Sequence, residues 1–194
     1  MNATMSRLLI SLLCSCLVAT LATAGPGRVP TQPRFDSIES PQMKCALAAY
    51  VVDPDPKGLN VRSGPGKAFP VVGTIPHRES AVEVQVTGAT GQWVRIRNGM
   101  MQEDDETVFK GEGWVFGPML ATGTKNYGGL NPETPNVKLF KAPNNRSAVV
   151  TLLLNETGVK LVGCKGSWAQ IQHKKFTGWL APDSQCVSTL TTCN

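Results

Sequence analysis

The chain is poor in groups that do chemistry. Its 194 residues include two histidines, His77 and His173, with aromatics at 6% and charged residues at 17%. No G-x-S-x-G, H-E-x-x-H or P-loop segment is present, so the common hydrolase and nucleotide sites are missing. A catalytic cysteine needs a base within hydrogen-bond reach and a third group to orient that base. His77 follows Ile75-Pro76 and His173 precedes Lys174-Lys175, so both read as solvated turn residues. No CxxC or HxxxH spacing exists, which argues against zinc. Glu103-Asp104-Asp105-Glu106 is contiguous, whereas calcium loops space their acids on alternate positions, so it reads as a solvated loop tip. The expectation is no catalytic residue, no metal and no cofactor.

Long apolar runs are confined to the N-terminus. Residues 1–24 carry one charge, Arg7, then an apolar run and Ala22-Thr23-Ala24, the pattern of a cleaved export signal. Two other readings exist: an uncleaved anchor, and lipidation at Cys16, since Leu13-Cys14-Ser15-Cys16 loosely resembles a lipobox. Beyond residue 24 no stretch is apolar enough to span a bilayer. Without Arg7 the chain has 18 basic and 14 acidic residues, a mildly basic balance. The basic residues are scattered, with only Lys174-Lys175 adjacent, so nucleic acid is not an expected partner. Four cysteines remain: Cys45, Cys164, Cys186 and Cys193. An even count in an exported chain points to disulfides, with three pairings open. One bridge is expected within the C-terminal group, and Cys45 then reaches into that group or meets another molecule. The implied compartment is the periplasm or the exterior.

What is present is strand pattern. Residues 25–44 hold Pro30, Pro33 and Pro41 and read as a flexible lead-in. Short Val/Ile/Leu runs then alternate with Gly/Pro turns at 46–52, 58–62, 71–75, 81–87, 92–97 and 113–116. Val82, Val84 and Val86 alternate with Glu83, Gln85 and Thr87, one face buried and one wet. Residues 122–136 are Gly/Pro/Asn-rich and read as a linker. The pattern restarts at 137–140, 148–153, 158–163, 167–172 and 178–180. The fold class expected is all-β: two tandem small barrels, at 45–121 and 137–194.

The two halves repeat each other. Leu59, Val61, Pro65, Val71 and Val72 match Val137, Leu139, Pro143, Val149 and Val150 at a constant offset of 78. Val82 and Val84 match Val159 and Leu161; Trp93 and Ile96 match Trp168 and Ile171. Gly113-Trp114-Val115 matches Gly178-Trp179-Leu180, where the offset has fallen to 65. The first copy therefore carries an insertion, mostly between Arg97 and Lys110.

Leu59-Asn60-Val61-Arg62-Ser63-Gly64-Pro65-Gly66, Val71-Val72-Gly73-Thr74-Ile75, Gly91-Gln92-Trp93-Val94-Arg95-Ile96 and Gly113-Trp114-Val115 together resemble the bacterial SH3 (SH3b) domain. The second half is a degenerate copy that lacks Asn-Val-Arg and keeps Pro143, Trp168 and Gly178-Trp179. The resemblance implies an SH3-like barrel that binds cell-wall peptides or other proteins. Trp114 and Trp179, each after a glycine, are expected in the core. Trp93 and Trp168 are expected at the rim. With Tyr50, Asn60, Arg62 and Phe116 they would form a shallow peptide- or glycan-binding face, overhung in the first copy by the insertion. The function expected is a non-catalytic, monomeric binding module for the cell wall or an envelope protein. The alternatives are a structural adaptor and a regulatory subunit of an exported hydrolase.

Overall fold

The computed structural model describes residues 42–125 and 134–190. The expected export signal, Cys16, Cys193, most of the expected lead-in and most of the expected 122–136 linker lie outside the described residues.

Strands make up more than half of the described residues. The first repeat holds β1 (Met43–Val51), β2 (Leu59–Arg62), β3 (Val71–Ile75), β4 (Val82–Thr90), β5 (Trp93–Met101) and β6 (Thr107–Phe116). After a 3-10 turn at Gly117–Met119 comes β7 (Leu120–Thr124). The second repeat holds β8 (Val137–Phe140), β9 (Val149–Leu153), β10 (Val159–Lys165), β11 (Trp168–His173) and β12 (Phe176–Leu180). A second 3-10 turn, Pro182–Ser184, leads to β13 (Gln185–Cys186). The class is all-β, as the alternation of valines with polar residues requires.

The hydrogen-bonded order is β3-β2-β6-β5-β4-β1-β7-β10-β11-β12-β8-β9, with β13 also on β7. Read outward from the β1–β7 pair, both halves share one order, and the ladder runs unbroken between them. Matched residues occupy matched environments. Val61 and Leu139, Val84 and Leu161, Ile96 and Ile171, and Val115 and Leu180 are all buried to 1% exposure or less. Val71, Val72, Val149 and Val150 are all exposed, between 37% and 56%. These buried aliphatics merge into one core cluster that spans both repeats. Neither repeat is large enough to bury a generous core alone.

β7 is where the repeats meet. It pairs with β1 at Tyr50 opposite Ala121, with β10 at Val159 opposite Thr122, and with β13 at Cys186 opposite Gly123. Residues 122–124, assigned to the linker by composition, are thus interior strand, and Thr122 and Thr124 are fully buried. Their hydroxyls are satisfied, as buried polar groups must be. Thr122 Oγ1 donates to the Cys186 carbonyl at 3.0 Å, and Thr124 Oγ1 donates to the Leu154 carbonyl at 2.7 Å.

A disulfide staples the same seam. Of the three open pairings, the structure selects Cys45 on β1 with Cys164 on β10, Cα atoms 5.7 Å apart. Ala46 N–H donates to the Gly166 carbonyl at 2.9 Å and Gly166 N–H donates to the Lys44 carbonyl at 2.8 Å, so backbone bonds brace the bridge. Gly166 sits at φ +56° in the β10–β11 turn, a conformation glycine adopts readily. Cys186 is disulfide-bonded too.

The insertion does not overhang the predicted face. It lengthens the β5–β6 hairpin, pairing Gly99 with Phe109 and Met100 with Thr107. Its tip turns toward the C-terminal segment. Gln102 Nε2 donates to the Val187 carbonyl at 2.5 Å, and Gln102 Oε1 accepts from Thr189 N–H at 2.9 Å.

The Cys45–Cys164 bridge closes 119 residues of sequence, for which chain entropy gives about 5 kcal/mol. Replacing Cys45 and Cys164 together by alanine is expected to cost about 2–5 kcal/mol in denaturant unfolding. Because β7 belongs to both ladders, calorimetry of wild type and variant should show one cooperative transition. Two resolved transitions in the wild type would contradict the shared core.

Candidate binding face

Side chains alternate across a strand, so the residues between the buried positions of β5 and β6 form an outer face. On β5 these are Trp93, Arg95 and Arg97. On β6 they are Phe116, Trp114 and Glu112. The register sets them in three cross-strand rows: Trp93 opposite Phe116, Arg95 opposite Trp114, and Arg97 opposite Glu112. Arg62 of β2 stands on the other side of Trp114. Trp93 and Phe116 have ring centroids 5.7 Å apart at an interplanar angle of 56°.

Trp114 and Trp179 are not core residues. Both are half-buried on the outer face, while the neighbouring Val115 and Leu180 reach 0% exposure inside. The preceding glycine explains the arrangement. A Cβ on Gly113 would lie 2.4 Å from Val61 Cγ1 and 2.9 Å from the Arg62 carbonyl, so β2 packs directly on that backbone. The glycine faces inward, and the tryptophan after it therefore faces outward. The Gly-Trp step admits a close strand neighbour; it does not insert the indole.

Glu112 is clamped by two arginines. Arg97 Nε donates to Oε1 at 2.7 Å, and Arg95 Nη2 donates to Oε2. The Arg97 hydrogen bond, with the positive charges of both arginines, holds the Glu112 carboxyl below its ordinary value of 4.5, against a smaller opposing effect of partial burial. One acid neutralises two guanidinium groups only in part, so the face keeps net positive charge beside its aromatic rings.

The predicted site residues divide. Arg62, Trp93 and Phe116 belong to this face. Arg62 also has a structural duty: its Nη1 donates to the Phe69 carbonyl at 2.8 Å and the Lys67 carbonyl at 3.2 Å, pinning the turn that follows β2. Asn60 is exposed on β2, two residues before Arg62 and on the same side. Tyr50 lies elsewhere, in β1 at the seam, opposite Glu83 and Ala121. Burial there raises the pKa of its hydroxyl. Trp168 occupies the matching position in the second repeat and packs edge-on against Phe140 at 5.7 Å.

The second repeat presents a different surface at these positions. Arg62, Arg95, Arg97, Glu112 and Phe116 are replaced by Phe140, Gln170, Gln172, Thr177 and Ala181. The aromatic pair is kept and the charge is gone. Where Ala181 stands for Phe116, a recess of about 320 Å³ opens beside Phe140, lined also by Lys138, Asn145 and Asp183.

His77 Nδ1 lies 3.2 Å from the Asp53 carbonyl, while His173 ends β11 opposite Phe176. The histidines thus belong to different repeats. Cys45, Cys164 and Cys186 are committed to disulfides. Among the described residues, no cluster of three or more His, Cys, Asp or Glu is placed to hold a metal.

Residues 57–121 and 135–188 each match the bacterial SH3 domain family, SH3_3. The chain belongs to the bacterial SH3 domain family. The two matched segments take in β2 to β6 of the first repeat and β8 to β13 of the second. Over 143 residues the chain is 26% identical to a putative N-acetylmuramoyl-L-alanine amidase, YrvJ, of Bacillus subtilis, covering 66% of this chain and 24% of that protein. The chain thus spans about a quarter of the length of that relative. Among solved structures, NlpC1 of Trichomonas vaginalis aligns over 88% of this chain and 55% of its own at 11% identity, with a TM-score of 0.29. NlpC2 of the same organism aligns over 77% and 51% at 9% identity, also with a TM-score of 0.29.

The Glu112 clamp makes a directional prediction. A carboxyl whose folded pKa is lowered adds stability above its unfolded pKa and loses that stability as pH falls through the folded value. Glu112 should therefore titrate below 4.5 by carbon-detected NMR and move back toward 4.5 in Arg97→Gln. An unshifted wild-type midpoint would mean the clamp does not form in solution.

Proposed function

We propose that the chain is an exported, non-catalytic binding protein that engages bacterial cell-wall peptide or glycan through the β5–β6 face of its first repeat. The observation that carries this reading is the cluster of Trp93, Phe116 and Trp114 over two adjacent rows, with Arg95 opposite Trp114 and Arg97 in the row beyond. Aromatic rings supply apolar contact area with little entropy lost on binding, and exposed guanidinium groups favour carboxylate-bearing ligands. Export is supported by the residue 1–24 pattern and by disulfides, which persist in oxidising compartments. The amidase relative supports the wall as the polymer concerned. A non-catalytic role is supported by the separation of the histidines and the commitment of three cysteines to disulfides.

A face of this kind is a broad contact, not a socket. Such surfaces suit an extended polymer whose repeating units add small contributions. An envelope protein is the other partner compatible with this face, and the choice of polymer makes the reading testable.

Purified cell-wall sacculi should retain the protein at low salt and release it as salt rises, because charge contributes to capture. Trp93→Ala and Trp114→Ala should each weaken retention about tenfold, equivalent to ~1.4 kcal/mol, when assayed well below each variant's melting temperature. Failure of the wild type to bind at low salt would sink the wall reading and leave a protein partner. Retention unchanged in both variants would move the site away from this face.

A further inference from the structure

The ladder has two ends, β3 and β9, and the repeats finish them differently. An edge strand offers unpaired backbone groups, and natural proteins blunt such edges with polar residues, charge or proline. On β3, Val72 is followed on the same face by Thr74, and Pro76 lies just past the strand end. The matching positions at β9 are Val150, Leu152 and Leu154. Leu152 is 47% exposed, Leu154 41% and Val150 37%. From Ala148 to Leu154 no charged residue intervenes. One copy of a duplicated edge is therefore guarded, and the other presents an apolar row.

The opposite side of β9 is already occupied. It pairs with β8 from Val137 opposite Leu153 to Leu139 opposite Thr151, then shifts register at Val150 so that Phe140 stands opposite Val149, and the Leu153 carbonyl accepts from Asn136 N–H at 3.0 Å. The outer edge has no strand neighbour among the described residues.

The sequence of this edge is complementary to itself. In an antiparallel pair related by a two-fold axis at Thr151, Val150 faces Leu152 of the other copy and Val149 faces Leu153. The same register brings the turn carrying Arg146 to the strand end carrying Glu156, twice by symmetry. Both charges are exposed in the single chain. A β9-to-β3 contact would instead be head-to-tail and would not close.

We propose that two copies of this chain associate through β9, as a two-fold antiparallel pair of edge strands centred on Thr151. The contact extends the ladder across the dimer in the manner in which β1, β7 and β10 extend it across the repeats. It does not depend on what the β5–β6 face binds.

Sedimentation equilibrium on the full disulfide-bonded chain, between micromolar and hundred-micromolar protein, tests the proposal. A monomer–dimer equilibrium is expected, and Leu152→Lys should raise its dissociation constant at least tenfold with the melting temperature retained. Glu156→Arg should weaken association, and Arg146→Glu with Glu156→Arg should restore it, because the swapped charges still complement each other. A wild type that stays monomeric throughout overturns the proposal and leaves this edge to a different protein. A dimer unaffected by Leu152→Lys places the interface elsewhere. Failure of the double charge swap to restore association overturns the register.

Discussion

β7 is five residues long and belongs to both repeats. It lies beside β1 of the first half, and β10 and β13 of the second pair with it in turn. A strand in that position cannot be removed without exposing the interior on both sides. Each repeat is near the lower size limit for a self-sufficient core, so sharing one strand lets two undersized cores merge. The buried threonines show how much order this demands. A hydroxyl in an apolar interior costs free energy unless it finds an acceptor. Thr124 finds its acceptor on the Leu154 backbone, and Thr122, which also reaches the neighbouring Gly123 carbonyl at 3.3 Å, makes its shorter bond to the Cys186 carbonyl. The seam thus requires the second repeat to be folded and docked. The Cys45–Cys164 bridge crosses it where the long sequence separation makes a cross-link most effective against the unfolded chain.

Duplication on a shared core separates what packing fixes from what binding can vary. The matched inward positions Val61 and Leu139, Val84 and Leu161, Ile96 and Ile171, and Val115 and Leu180 keep an aliphatic side chain at near-zero exposure in both repeats. Outward positions have diverged: two arginines and a glutamate in one copy, two glutamines and a threonine in the other. The tryptophans are common to both because they serve two purposes. Half-buried, Trp93 and Trp168 shield the strand below and leave a ring surface to solvent, and each keeps an aromatic neighbour 5.7 Å away. That neighbour comes from β6 in the first copy, Phe116, and from β8 in the second, Phe140. The pair is preserved while its geometry is rebuilt.

Much of this is legible in the sequence, and the departures have physical causes. All eleven strand runs expected from alternation exist, because Val and Ile at period two report one buried face directly. β7 and β13 carry no such signal. Leu120-Ala121-Thr122-Gly123-Thr124 has the composition of a loop, and its strand character comes from neighbours distant in sequence, not from propensity. The Gly-Trp step misleads for a related reason. Glycine signals close approach on its own face, and alternation then sends the next side chain to the other face. Counting the period from Gly113 is enough to turn Trp114 outward, away from the core expected for it. Tyr50 shares only its residue type with the face, since β4 separates β1 from β5. The disulfide pairing depends on proximity in space, which cysteine spacing does not encode.

The hairpin insertion shows what the first copy contributes beyond its own fold. Loops inserted on rigid scaffolds often serve ligands, yet this one sets Gln102, beside its exposed acidic tip, against the second repeat. Gln102 makes bonds to Val187 and Thr189 that a solvated loop would leave to water. Together with the Cys45–Cys164 bridge it ties the halves at separate points, and two separated ties restrict rotation as well as separation. The charged face of one repeat and the neutral face of the other are thereby held at a set spacing and angle. A flexible linker would dilute the second contact with a polymer through the volume the linker explores. A rigid seam removes that cost at the price of matching only ligands of one spacing. If both faces met one polymer, selectivity would lie in geometry, since each face alone is shallow and the chemistry available to it is limited to rings and a few fixed charges.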